Sequence, residues 1–256
     1  MLAEERRKKI IEMLRKKENI SISELCNVTG ASVATIRRDL SRMENRGLLV
    51  KVHGGAMLSD RNRFELSFEK RSLMNIEKKK MIAAKVMTTI QEDDTLLLDA
   101  GTTTFFIARE IGKSKKNVNM FTNSLAIAQE VANYQNIHLT LIGGRIDWKN
   151  MATIGSMAAK YLMDLIVDKA FIGANAVDKL RGATTIEEDN AFLNHLMLKS
   201  AHHVFVVADS TKIGKSALFC SVPIESMDFL VTDSSADRKT IEMLELRGVR
   251  VLIGGK

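Results

Sequence analysis

Along the first fifty residues the apolar positions recur at helical spacing. Ile10, Ile11 and Leu14 fall on one side of a helix predicted over residues 2–17, while Arg6, Arg7, Lys8, Lys9 and residues 15–17 spread charge around the rest. Ile20, Ser21 and Ile22 alternate as a very short strand would. Ser23 is placed to cap a second, short helix that runs through Val28 and closes at Gly30. Ser32 is the expected N-cap of a third helix reaching about Arg46, with Val33, Ile36, Leu40 and Met43 as its apolar stripe and Gly47 as its stop. Residues 48–52 have strand character, and His53-Gly54-Gly55 forces a turn. Helix, short helix, turn, helix and then β-turn-β is the winged helix-turn-helix pattern.

From residue 57 the period is lost. Phe64, Leu66, Phe68 and Leu73 are interleaved with Asp60, Arg61, Arg63, Glu65, Glu69, Lys70 and Arg71, with neither Pro nor Gly, which predicts a partly helical connector and not a floppy tether. Lys78-Lys79-Lys80 then opens a helix to Ile90, its lysine run read as a solvated face. Beyond it strand-like and helix-like blocks alternate. Strands are predicted at 95–98, 118–121, 138–142, 170–172, 203–208, 229–231 and 249–253, and helices at 103–110, 124–132, 157–162, 189–200 and 237–247. Such alternation predicts a mostly parallel α/β sheet. The expected division is a winged helix-turn-helix at 1–57, a connector at 58–74 and a larger α/β domain at 75–256.

Composition sharpens this division. The chain has 256 residues, 45% hydrophobic and 27% charged, and a single Pro excludes proline-rich linkers. Its formal net charge is +7, unevenly placed: residues 1–57 carry 12 Lys+Arg against 7 Asp+Glu, and the remainder 26 against 24. A basic head on a near-neutral body points to a polyanionic partner for the head. Cys26 and Cys220 have mostly apolar neighbours and are expected as reduced core residues. Neither belongs to a CxxC, and five scattered His give no zinc spacing, so no metal or cofactor is expected. The first residues lack the apolar core of a signal peptide, and no apolar run reaches the roughly 18 residues of a membrane span. A cytoplasmic protein with no membrane partner is expected.

With the stripe of the third helix turned inward, Thr35, Arg38 and Arg42 point outward and Arg37 lies at the margin. In a major groove Arg can bond guanine bidentately and Thr can touch a thymine methyl. A small helical docking domain with a solvated arginine face would share the bare pattern. The run 32–40, Ser-Val-Ala-Thr-Ile-Arg-Arg-Asp-Leu, followed by Gly47-Leu48 and Val52-His53-Gly54-Gly55-Ala56, resembles the amino-terminal signature of the DeoR family of bacterial transcriptional regulators. The resemblance implies DNA contacts from Ser32, Thr35, Arg37 and Arg38 and a wing at 48–56 on the backbone; Ala34, Arg42, Lys51 and His53 complete the expected DNA-binding set. Asp39 is expected to orient an arginine and not to meet DNA.

In a parallel sheet ligands collect at the carboxyl ends of the strands, and polar and glycine residues gather at those predicted ends. Asp99-Ala100-Gly101-Thr102-Thr103-Thr104 follows one strand and opens a helix; Thr122-Asn123-Ser124 and Gly143-Gly144-Arg145 follow the next two. Asp209-Ser210-Thr211-Lys212 follows another, and residues 182–185 read as a further loop. Glycine admits a close backbone approach, threonine hydroxyls donate, and free helix-terminal amides bind anions. Each group alone is an ordinary cap as often as a site; together they favour a small anionic, polyhydroxyl ligand.

These strings, with Asp168-Lys169-Ala170-Phe171-Ile172-Gly173, also resemble the sensor domain of the same family. The resemblance implies a fold like that of ribose-5-phosphate isomerases and a phosphorylated-sugar effector. It places phosphate on Gly101, Thr102, Thr103, Thr104, Asn123 and Ser124, and hydroxyls or a carbonyl end on Asp99, Lys169, Asp209 and Lys212. Gly143, Gly144, Gly173, Thr184 and Thr185 complete the expected set. The chain departs from the family pattern at Asn190, Asn194 and Asp147, where Arg145 is the candidate substitute for a missing arginine.

The reading is a sequence-specific DNA-binding regulator, a repressor of a sugar-metabolism operon, acting as a homo-oligomer on double-stranded operator DNA and controlled by a phosphorylated sugar. No catalytic residue is expected. The alternative is a sugar-phosphate isomerase-like enzyme with a DNA-binding head, using Asp99, Asp209 and Lys212 as acid, base and electrophile; Asn190, where an acid is missing, weighs against it. A non-specific nucleic-acid scaffold is the third class, distinguished by equal affinity for operator and random DNA.

Overall fold

Ser21, and not Ser23, starts the second helix. Its side chain accepts the Glu24 amide while Glu24 Oε2 accepts the Ser21 amide at 3.1 Å, a reciprocal pair that satisfies two otherwise orphaned donors. The computed structural model describes residues 3–17, 19–45, 49–52, 54–58 and 66–255, in two units, Met1–Glu65 and Leu66–Lys256.

In the first unit the helices are α1 (Ala3–Lys16), α2 (Ile22–Thr29) and α3 (Val33–Asn45), and the strands are β1 (Asn19–Ser21), β2 (Leu49–Val52) and β3 (Gly55–Leu58). The strands form an antiparallel sheet in the order β1-β3-β2. Ile10, Leu14, Ile20, Leu25, Ile36, Leu40, Met43, Leu49 and Ala56 make one core. Val33 departs from the expected stripe: it is 48% exposed, because the first turn of α3 projects beyond that core. Gly55 is needed where it stands, since a Cβ there would lie 2.3 Å from the Ile20 carbonyl oxygen across the β1–β3 pairing. Gly47 and His53 lie outside the described residues.

The second unit opens with α4 (Phe68–Ser72) and α5 (Ile76–Met87). There follow β4 (Thr95–Leu98), α6 (Thr102–Lys113), β5 (Val118–Thr122), α7 (Leu125–Val131), β6 (Ile137–Leu141), β7 (Arg145–Asp147), β8 (Ala152–Ile154), α8 (Ser156–Met163), β9 (Val167–Gly173), β10 (Ala176–Asp178), β11 (Gly182–Thr185), α9 (Glu188–Lys199), β12 (Ala201–Val207), β13 (Phe219–Pro223), β14 (Phe229–Asp233), α10 (Arg238–Glu245) and β15 (Arg250–Gly254). Seven strands pair in parallel in the order β15-β14-β12-β9-β4-β5-β6. This is the mostly parallel α/β domain expected from the alternation.

Both faces of the sheet are covered, so its strands are apolar at successive positions. Leu97, Ala170, Ile172, Val204 and Val206 join one core with α8 and α9, while Leu96, Leu98, Phe171, Phe205 and Val207 join the other with α5 and α6. Chain order runs outward from β4 through β5 to β6 on one side, and from β9 through β12 and β14 to β15 on the other. The reversal lies between β4 and β9, and a crevice opens at their carboxyl ends.

Four sequence expectations change here. Residues 182–185 are strand β11, not loop, paired with β10 and β13 in a small antiparallel sheet. The β7–β8 hairpin was also unexpected. Lys79 is buried, not solvated, because its ammonium is drawn to two carbonyls of the segment before α5. Cys220 is exposed and Cys26 half-buried, each a free thiol, because Cys220 lies at the edge of the small sheet and not in either large core.

Candidate functional site

At the start of α3, Ser32 Oγ accepts the Thr35 amide at 3.3 Å and bonds Thr35 Oγ1 at 2.9 Å, fixing the first turn. Ile36, Leu40 and Met43 face the core, leaving Ala34, Arg37, Arg38 and Arg42 exposed and Thr35 half-buried. Among the described residues the three guanidinium groups have no hydrogen-bond or ion-pair partner. Asp39 is 3% exposed and receives Arg6 Nε at 2.6 Å and Arg7 Nε at 3.2 Å. It therefore orients arginines of α1, and its charge is absorbed by them. Lys51 folds onto α3, with Nζ 2.9 Å from Glu44 Oε2 and 3.1 Å from Ser41 Oγ. That contact and the Lys51 amide hold the Glu44 carboxyl below its usual range.

In the second unit a small cleft, open to solvent, lies at the carboxyl ends of β4 and β9. The amino end of α6 forms its floor with Gly101, Thr102 and Thr103. Arg71, Asn123, Asn150, Asn175, Asn190 and Asn194 stand around it, with Thr185, Leu193 and Lys212. Asp99 ties this floor together: Oδ1 accepts the Gly101 amide at 3.0 Å and the Thr104 hydroxyl at 2.9 Å, and Oδ2 accepts the Gly173 amide at 2.8 Å. Burial pushes its carboxyl up, against the pull of these donors and of Lys212. A Cβ at Gly101 would meet Asp99 Oδ1 at 2.9 Å, which is why a glycine turns the chain into α6.

Three polar atoms that border the cleft are buried without a partner: Thr103 Oγ1, Asn123 Oδ1 and Arg71 Nε. Thr103 is 2% exposed and Asn123 4%. The rest of each side chain is fixed, Asn123 Nδ2 donating to the Thr153 carbonyl at 3.0 Å and Arg71 Nη2 to Asn150 Oδ1 at 2.6 Å. Asn150 is itself held by Asp147 Oδ2 and Glu187 Oε2, both at 2.7 Å, and Glu187 Oε2 also accepts Asn190 Nδ2 at 2.8 Å. Asp147 thus serves the cleft from behind Asn150. On the other side the ammonium of Lys212 has neither hydrogen-bond nor ion-pair partner among the described residues, and burial lowers its pKa against the pull of Asp209 and Asp99. Burial, then repulsion by Lys212 and by Arg71, bring Lys79 down to about 8.

Of the expected ligand residues the structure brings Asp99, Gly101, Thr102, Thr103, Asn123, Gly173, Thr185 and Lys212 to the cleft. Others stand back from it. Thr104 bonds Asp99, and Ser124 caps α7 by accepting the Ile127 amide at 3.2 Å. Thr184 Oγ1 donates to the Ala176 carbonyl and accepts the Ala217 amide. Asp209 accepts the Thr211 amide at 3.0 Å and Asn75 Nδ2 at 3.3 Å. Gly143 and Gly144 lead into β7, and Gly144 leaves room for the Ile154 carbonyl.

Lys169 is at the wrong end of the sheet. It pairs with Asp94 before β4, and the four residues from it to Gly173 span about 13 Å at ~3.3 Å each. Arg145 likewise lies on the surface, 3.1 Å from Asp189, and supplies no charge to the cleft. Arg71, Asn150 and Asn175 were not foreseen, and nothing in their local sequence marks them. Among the described residues no cluster of His, Cys, Asp and Glu could hold a metal ion, and no helix is long and apolar enough to cross a membrane.

Comparison with known proteins matches residues 6–62 to the model of the DeoR-like helix-turn-helix domain and residues 74–234 to that of the DeoR C terminal sensor domain. The HTH-type transcriptional regulator GlpR of Haloferax volcanii is 34% identical over 254 residues, covering 99% of this chain and 99% of that protein. The transcriptional repressor AccR of Agrobacterium fabrum is 34% identical over 242 residues, covering 94% and 93%. Among solved structures, ribose 5-phosphate isomerase A of Methanocaldococcus jannaschii aligns at a TM-score of 0.41 and 18% identity, over 54% of this chain and 55% of that one.

Proposed function

The chain belongs to the DeoR family of DNA-binding transcriptional regulators, and from that premise we propose that a small phosphorylated sugar occupies the cleft of its second unit and controls its hold on operator DNA. The observation that carries this is the pair of unpartnered atoms, Thr103 Oγ1 and Asn123 Oδ1, on side chains more than nine-tenths buried. A buried polar atom without a partner costs about 1–3 kcal/mol. A ligand with both acceptors and hydroxyls recovers that cost. The free amides at the start of α6, Thr103 and Lys212 take the phosphate, since a helix amino terminus and a cation both favour an anion. The asparagine wall reads hydroxyls, because each amide offers both a donor and an acceptor.

In the first unit Ser32, Ala34, Thr35, Arg37 and Arg38 enter a major groove, with Arg42, Lys51 and His53 on flanking phosphates. The protein acts in the cytoplasm as a homo-oligomer, at least a dimer, that reads spaced half-sites and represses a sugar-metabolism operon; AccR is named a repressor. It does not turn its ligand over: both oxygens of Asp99 are engaged by Gly101, Thr104 and Gly173, and Asp209, whose Oδ1 accepts Thr211 and Asn75, stands outside the cleft lining, so neither carboxylate is placed to move a substrate proton.

A thermal-shift series on the full chain tests the effector, because a ligand that binds only the folded state raises the melting temperature. Sugar phosphates are expected to raise it and the parent free sugars are not. Equal shifts from both would overturn the phosphate assignment.

A further inference from the structure

We propose that Arg71 is a specificity-determining contact for the anionic group of the effector, and that through it occupancy of the cleft acts on the segment leading out of the DNA-reading unit. Arg71 lies between the two matched segments, 6–62 and 74–234. It stands on α4, at the very start of the second unit.

Its geometry is that of a prepared anion contact. The Nη2 group is held by Asn150, which Asp147 and Glu187 hold in turn, so the plane of the guanidinium is fixed before any ligand arrives. Its Nε is buried at the border of the cleft with no acceptor. No carboxylate neutralises Arg71 by direct contact among the described residues; its surroundings are the more distant charges of Glu187, Asp99 and Asp147. A fixed fork with an unused N–H is suited to a phosphate oxygen, which guanidinium binds with directional, charge-assisted hydrogen bonds.

The same residue is bound into the connector. Its carbonyl oxygen accepts the buried ammonium of Lys79, which also donates to the Met74 carbonyl at 2.6 Å. Three residues earlier the Phe68 amide donates to the Lys149 carbonyl at 2.8 Å, and the Phe68 ring packs edge-on to Phe105 of α6 at 5.7 Å. An anion drawn to Arg71 Nε therefore tightens α4 against the wall of the cleft. Its differential affinity for the tightened and loosened states is what shifts the regulator between them.

The inference rests on the phosphosugar reading of the cleft, and one experiment separates the two. Full-length wild type, Arg71→Gln and Arg71→Lys are titrated with glycerol 3-phosphate, ribose 5-phosphate, fructose 1-phosphate and fructose 6-phosphate, each beside its unphosphorylated parent. Wild type is expected to bind at least one phosphorylated probe. Arg71→Gln should weaken that binding at least tenfold and narrow the preference over the parent compound; Arg71→Lys should restore part of both. Hydrogen exchange across residues 68–74 should slow when the probe saturates wild type, and should not slow in saturated Arg71→Gln. Undiminished binding by Arg71→Gln overturns the proposal, as does an equal loss for phosphorylated and parent compounds. Should Arg71→Gln fail to fold, Arg71→Lys with wild-type binding and wild-type protection of residues 68–74 supports a cationic contact, and complete loss in it overturns one. A wild type that binds no probe overturns the phosphosugar reading itself, and the role of Arg71 with it.

Discussion

Asp99 and Gly173 are joined by a 2.8 Å hydrogen bond from the glycine amide to the buried carboxylate, where the order of the parallel strands reverses. The same carboxylate holds the turn into α6, so one side chain sets the spacing between both lips of the cleft. Asp99→Ala leaves the Gly173 amide without an acceptor and the Gly101 amide with Thr104 Oγ1 alone. At about 1–3 kcal/mol for such an orphaned group, it should destabilise the second unit by roughly 2 kcal/mol in urea unfolding. A loss below half of that would show that the amides find other partners.

Thr103→Val should separate stability from response. The hydroxyl has no partner to lose, so the unliganded variant should melt at or slightly above the wild-type temperature. Its melting temperature should no longer rise with sugar phosphate. A normal ligand-induced rise would place the phosphate elsewhere.

Effector binding should take up protons in mild alkali. The buried ammonium of Lys79 titrates near 8 in the folded protein against an ordinary 10.5, and Lys212 is also lowered. Between those two values the unfolded chain holds more protons than the folded one, so the Lys79 contribution to stability grows as pH rises through that window and is absent below it. A phosphate beside Arg71 and Lys212 offsets their repulsion of Lys79 and raises the lysine values again, and binding must weaken as pH climbs past about 8. Titration calorimetry at pH 8.5 in buffers of different ionisation enthalpy measures this uptake, and Lys79→Met should reduce it. Identical heats in every buffer would refute it.

On the DNA side, Arg38→Ala should cost about 1–3 kcal/mol of discrimination at one base pair. Lys51→Ala should weaken every duplex alike and flatten the salt dependence by about one unit. Because Lys51 is paired with Glu44, Glu44→Gln should strengthen binding to random and operator duplexes by the same factor. Gel-shift titrations over a salt series decide all three, and a Lys51 effect confined to operator would remove it from the backbone contacts.

The parts of the site that sequence made legible are those next to a strand end. Gly101, Thr102, Thr103 and Asn123 each follow an apolar run directly, so the parallel sheet carries them to one rim. Lys169 precedes its apolar run, and in a parallel strand that puts it at the opposite rim, where Asp94 neutralises it. Arg71, Asn150 and Asn175 become wall residues only through folding: Arg71 meets Asn150 from 79 positions away in the chain. Strand β11 escaped notice because Gly182-Ala183-Thr184-Thr185 has the composition of a loop, and its pairing with Phe219–Pro223 compensates for that. In the first unit the Ile36, Leu40 and Met43 stripe fixed α3, and Val33 failed the pattern because the start of the helix overhangs its core.

The switch between β4 and β9 also has a consequence for biosynthesis. Every described residue of the first core lies within the first 56 positions, so that unit can close as soon as its segment clears the ribosome. Strand β4 leaves the tunnel with no β9 to pair with, and more than seventy residues must follow before the Asp99–Gly173 hydrogen bond can form. Lys212 joins the cleft later still. For that interval a nascent chain carries a finished helix-turn-helix unit and an unfinished sensor domain, and translation speed across residues 100–212 sets how long the two stay out of step.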